Sequence, residues 1–360
     1  MANDLSIPSH QTALWVNKPG PDAKLELRKD VTVPTLKPNE ILVKIQYSGL
    51  CHSDIYNISG AHPMDVHIPG HEGIGTVVKL GSDVGNERAL GQRVGIKWIH
   101  ETCSDCEICQ RDLTACPNQH NSGRDRPGTL QEYVAVPAKH ASPIPDGISG
   151  HIAAPLLCEA HVEHVAGLTM FSAVNKTNTW KGDFLIITGA GGGLGHLGVQ
   201  IANRRGLKVI AIDAESKRQF CNENGAKHFI PFTHPNIEDE VRKITGHGGA
   251  HAIVCCAGAE TGYNQAPRLL RRGGTMVCVG LPANTAYKIP IGPFDMVVQG
   301  LRILGSSVGT ESELQELLAL AGKGDILPVT HVLPLEKFEE AIEAVRASAV
   351  PGKIVLKMDS

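Results

Sequence analysis

The chain has 360 residues, 42% of them hydrophobic, enough to bury two domain cores. Lys and Arg number 34 against 37 Asp and Glu, and a net charge of −3 offers no basic field to hold nucleic acid. No run of 18 apolar residues occurs, which excludes a membrane-spanning helix. The polar start (Met1 to His10, with Pro8) lacks the apolar stretch of a signal peptide, so ten cysteines point to the reducing cytosol and to metal ligation.

In chain order, the first ~160 residues read as short strands broken by Gly and Pro, the texture of a β-rich domain. Residues 41–47 alternate apolar and polar, and 75–80 and 130–136 are further strand candidates. Between them Cys103, Cys106, Cys109 and Cys116 fall within fourteen residues, with gaps of two, two and six. Short turns can aim four thiolates at one point, as a tetrahedral zinc ion requires, whereas disulfides fit that spacing poorly. With four protein ligands such a zinc is structural.

From Phe184–Thr188 the pattern changes to continuous apolar runs, the mark of strands buried on both faces of a parallel sheet. A helix with Leu194, Leu197 and Ile201 on one face follows and closes at Gly206. Lys208–Asp213, a polar helix ending near Gly225, and strands at 251–256, 275–280 and 301–305 continue the rhythm. Strand, helix, strand in this order predicts a doubly wound α/β sheet. The tail reads as a helix over 334–348 and a strand at Lys353–Lys357.

The loop Gly189-Ala-Gly-Gly-Gly-Leu-Gly195 lies between a buried strand and a helix, the context in which small residues let backbone approach a pyrophosphate. Gly189, Gly191, Gly192, Gly193, Leu194 and Gly195 are therefore candidate cofactor contacts. Asp213 ends the next strand, eighteen positions after Gly195. A carboxylate there accepts ribose hydroxyls and repels a 2′-phosphate, which favours NAD over NADP. Its bland role is to cap the following helix. Lys217 reads equally as an adenosine-rim contact or a solvated lysine.

Cys51, His71 and Cys158 lie apart in sequence. Two cysteines and one histidine leave a fourth zinc position open, the pattern of a catalytic site. Their surroundings are Cys51-His-Ser-Asp54, Gly70-His-Glu72 and Ala154-Pro-Leu-Leu-Cys158. With the four-cysteine loop, the glycine loop, Val-Gly-Leu-Pro at 279–282 and Gly-Lys-Ile-Val at 352–355, the chain resembles the zinc-dependent medium-chain alcohol dehydrogenases, closest to the yeast-type tetrameric branch.

The resemblance implies a GroES-like β-rich catalytic domain (1–165 and 307–360) and a doubly wound Rossmann domain (166–306). It implies two Zn(2+) per chain, NAD(H), a small alcohol or carbonyl substrate, no nucleic-acid or membrane partner, and a homo-tetramer or homo-dimer. Cys51, His71 and Cys158 would hold the catalytic zinc. Asp54 would fix the tautomer of His71, Glu72 would stand behind the metal, and Ser53 would bond the alcohol and relay its proton. His52 and Lys353 would contact the pyrophosphate, Val279 and Leu281 would flank the nicotinamide, and Trp98 would wall the pocket.

Two features depart from the family pattern. Tyr56 stands where the relay histidine usually ends the proton path, and a phenol titrating near pH ~10 is a poor base at neutrality. Seven residues, 159–165, separate Cys158 from Ala166-Gly-Leu-Thr169. They either loop out, leaving Thr169 under the cofactor, or extend a helix and offer His161, Glu163 or His164 to the site; surface-loop histidines are the preferred reading. His62 lies near the place of a bulky tryptophan, predicting a site that takes more than ethanol. Two alternatives stand beside the dehydrogenase: a relative adapted to non-redox isomerisation or cyclisation, and a non-catalytic NAD- or redox-sensing module.

Overall fold

The computed structural model describes residues 7–157, 167–246, 248–282, 284–347 and 350–358. The chain folds into two compact units. The first takes the chain to 157 with 330–347 and 353–358, and the second takes 167–329 with 350–352. The expected return at 307 thus falls later. The helix Glu311–Gly322 packs on Gly167–Lys176 and keeps that stretch with the second unit.

The first unit is built on a seven-stranded sheet. Its main path runs Thr330–Pro334, Lys353–Lys357, Glu40–Leu50, Glu72–Leu80, Arg93–Ile96, Ser142–Pro143, and Tyr133–Pro137 joins Glu40–Leu50 from the side. A hairpin of His10–Val16 and Leu25–Thr32 lies apart from that path. Alternating residues such as Ile41, Val43 and Ile45 point into one apolar core with Ile55, Ile58 and Leu130. The helix expected from 334 begins instead at Phe338. Thr330–Pro334 is a parallel partner of Lys353–Lys357, and Pro334 closes that strand.

Strand register brings distant residues together here. Glu40–Leu50 pairs antiparallel with Glu72–Leu80, Gly49 opposite Glu72, while Ile354 lies opposite Leu50. Three strand ends therefore meet at Cys51, His71 and Lys353. Gly49 is required at this point, because a Cβ there would sit 1.9 Å from Glu72 Oε2.

The second unit is a six-stranded parallel sheet in the order His228–Pro231, Lys208–Asp213, Phe184–Thr188, Ala250–Cys255, Leu270–Cys278, Arg302–Gly305. Its central strands carry the unbroken apolar runs of the sequence, and both faces are covered. The chain starts in the middle, winds outward, then returns to the other side of Phe184–Thr188. This is the doubly wound order, and it leaves a crevice at the carboxyl ends beside the first strand.

Candidate functional site

Cys51 precedes the helix His52–Ser59, and the Asp54 carboxylate turns back to its N-terminus, accepting the Cys51 N–H at 3.0 Å. The other Asp54 oxygen accepts the Gly70 N–H at 3.1 Å and faces His71 Nδ1 at 3.0 Å. Both side chains are fully buried. The ring nitrogen facing the carboxylate carries the proton, which leaves Nε2 directed into the site. Burial opposes a charged His71, but the Asp54 charge and hydrogen bond outweigh it and hold the ring well above its usual range.

Cys51, His71 and Glu72 each offer a ligand atom, all within 4.8 Å of one another. Ser53 Oγ lies 3.4 Å from His71 Nε2, and Glu72 Oε1 lies 4.0 Å from it. Glu72 is also bound by the buried Lys353 ammonium at 2.6 Å. Lys353, expected at a pyrophosphate, is thus engaged with Glu72. The Trp98 indole stands edge-on to His71, with ring centroids 5.4 Å apart. One thiol, one imidazole nitrogen and a nearby carboxylate in a water-poor place fit a zinc ion. Cys158, His161, Glu163 and His164 lie outside the described residues. Thr169 is buried, its hydroxyl bonded to Ser307 O at 2.8 Å.

Tyr56 and His52, on the same helix, are half-buried with tilted rings 6.5 Å apart. Asn57, which belongs to no motif of the sequence, is buried and follows Ser53 by one turn. Its Nδ2 has no hydrogen-bond partner among the described residues. The i, i+4 relation to Ser53 was the available signal.

Cys103, Cys106, Cys109 and Cys116 also gather their sulfurs within 4.8 Å. Cys103 Sγ is 3.8 Å from Cys109 and 3.5 Å from Cys116. A disulfide is far shorter, whereas a tetrahedron with zinc–sulfur bonds of about 2.3 Å has edges near 3.8 Å. Cys106 caps the short helix Glu107–Arg111, its sulfur accepting the Cys109 N–H. Backbone N–H groups of Cys106 and Asp105 draw the Cys103 thiol down to about 7, while desolvation and the neighbouring thiols push Cys109 up to about 12. Four thiols this close cannot all ionise without a cation among them, and the cluster fits zinc.

In the second unit Gly189 is left-handed (φ 65°) and turns the chain out of Phe184–Thr188. A Cβ on Gly195 would meet Gly189 O at 2.1 Å, so only glycine lets the helix Gly195–Arg204 start this close to the strand. Asp213 Oδ2 accepts the Gly191 N–H at 2.7 Å and Oδ1 the Ala214 N–H at 2.6 Å. Lys217 Nζ is 3.8 Å from Asp213, and its chain packs over Gly191. Gly192 and Gly193 lie between these points, with Leu194 buried at the helix start. At the return side, Val279 is buried and its N–H bonds Cys255 O, while Leu281 is 40% exposed. The loop fits a dinucleotide pyrophosphate: the carboxylate pins its backbone and small residues leave the approach open.

This combination defines a class: a two-unit zinc- and dinucleotide-binding dehydrogenase. A model for the alcohol dehydrogenase GroES-like domain matches residues 37–146, and one described as zinc-binding dehydrogenase matches 193–323. The chain is 36% identical to alcohol dehydrogenase 2 of Emericella nidulans over 98% of both chains. It is 37% identical to an alcohol dehydrogenase of Geobacillus stearothermophilus, covering 92% of this chain and 95% of that one. A solved NAD-dependent alcohol dehydrogenase superposes with a TM-score of 0.84 at 28% identity, over 97% of this chain and 100% of the other. The chain belongs to the zinc-dependent medium-chain alcohol dehydrogenase family.

Proposed function

We propose that the chain transfers hydride reversibly between NAD(H) and a primary or secondary alcohol, or the matching aldehyde or ketone, with zinc as its metal. The observation that carries this is the buried constellation in which Asp54 orients His71 Nε2 toward Cys51 and Ser53. When bound, zinc supplies Lewis acidity at the substrate oxygen and NAD accepts the hydride. Cys51 and His71, with Cys158, would hold the metal, and Cys103, Cys106, Cys109 and Cys116 a second, structural one. The Ser53 hydroxyl bonds the substrate oxygen and passes its proton outward. Tyr56 next along the helix is a weak base, so the proton leaves through water. Gly189–Gly195 backbone holds the pyrophosphate and Asp213 the adenosine ribose.

Metal content per chain, measured with NADH oxidation against an aldehyde panel, tests this reading. Two zinc ions and aldehyde-dependent loss of NADH absorbance are expected. C51S should abolish turnover while NADH binding persists; turnover undiminished in C51S would sink the assignment. Similarity to dehydrogenases along the whole chain leaves the isomerase and sensor alternatives without a supporting observation.

We further propose that the first unit is the catalytic domain and that the protein works in the cytosol as a homo-oligomer. The helix Pro293–Gln299 buries none of its residues, and Phe294 and Val297 are 77% and 81% exposed. It precedes Arg302–Gly305, the edge strand of the six-stranded sheet. Pairing with the same edge of a second copy would cover both.

A further inference from the structure

A cation on a loop packed against Gly70 and Trp98, two neighbours of His71, points to the kind of substrate. The loop that carries it touches both of these neighbours. The Ser122 N–H bonds Trp98 O at 2.9 Å, and Trp98 stands against the His71 ring. Gly123 is left-handed (φ 74°), and a Cβ there would lie 2.8 Å from Gly70 N, the residue before His71. Arg124 comes next and is half-buried, its carbonyl accepting the Asp65 N–H at 2.7 Å.

Among the described residues Arg124 makes no ion pair. Its Nη1 donates only to Asn121 Oδ1, at 3.3 Å. The neighbouring Asp125 is engaged by His120 at 3.2 Å and by Arg126 at 3.8 Å. Asp65, which the Arg124 carbonyl holds, is three residues from His62, whose ring stacks on Tyr56 at 5.6 Å, and Tyr56 is less than one turn along from Ser53. Burial, and then the Arg124 charge, hold the His62 imidazole below its usual range, so the charge offered here comes from Arg124 rather than from His62.

A guanidinium withdrawn partly from water gains little from one neutral amide oxygen, and its planar fork matches a carboxylate or phosphate. We infer that Arg124, with His62 beside it, binds an anionic group, carboxylate or phosphate, on the alcohol or carbonyl substrate. The substrates are then hydroxy acids, oxo acids or their phosphate-ester counterparts. This rests on the dehydrogenase reading above and adds the chemistry of the substrate's far end.

Two matched pairs test it in NADH oxidation by the zinc-loaded enzyme: 4-oxobutanoate against butanal, and glycolaldehyde phosphate against glycolaldehyde. The charged member of one pair should be favoured about 10- to 100-fold in kcat/KM, and which pair shows it separates carboxylate from phosphate. R124M should bring that ratio near one, and R124K should retain part of it. Butanoate or inorganic phosphate should compete with the aldehyde in the unmodified enzyme, a readout that does not depend on any variant folding. Turnover of the neutral aldehydes without charge preference, or a preference that survives in R124M, overturns the proposal alone. No turnover of any of the four overturns the dehydrogenase reading with it.

Discussion

Asp54 answers three donors at once: the His71 ring and the backbone N–H groups of Cys51 and Gly70. An amide in its place keeps the shape but loses the charge that fixes the ring. D54N should weaken metal retention at Cys51 and His71 by about 10- to 100-fold, seen as loss of one zinc of two under chelator challenge, with NADH affinity kept. His100 gives a pH prediction. Burial first, then the Arg126 charge, lowers it to about 3, while an unfolded chain takes the proton near 6.5. Across that window the unfolded state binds more protons, so stability rises with pH, by at most about 1.4 kcal/mol per unit. H100N should flatten that slope in urea unfolding between pH 5 and 7; an unchanged slope would show that His100 titrates normally.

At the level of elements, the glycine loop and the cysteine loop, both short, do opposite things. The first removes side chains so that backbone can be approached, and the second concentrates them on one point. G195A places a methyl against Gly189 O and Ala190 Cα, both backbone, so nothing nearby can yield. NADH affinity should fall by tenfold or more in fluorescence titration, with both zinc ions retained. C106S should lose one zinc and lower Tm, because three thiols no longer close the loop on the metal, while the serine hydroxyl still caps the helix Glu107–Arg111. Local spacing made both loops legible in the sequence, since each is complete within fourteen residues. The strand Thr330–Pro334 was not legible, because its partner Lys353–Lys357 lies beyond a helix.

For the whole molecule, the exposed Pro293–Gln299 face and the sheet edge beside it lead to a dissociation experiment. V297K should shift the assembly toward smaller species in sedimentation velocity, leaving zinc content unchanged; a monomeric unmodified protein would overturn the homo-oligomer proposal. The sequence alone determined the doubly wound unit, its glycine loop and acidic strand end, and the four-thiol cluster. In each of these the informative residues are neighbours along the chain or repeat with the period of their element. Tertiary structure decided what depends on register between distant strands: Cys51 meeting His71 and Lys353 taking Glu72. Those meetings follow from backbone pairing across gaps of about twenty to three hundred residues, and no local pattern encodes a partner that the chain reaches only by folding.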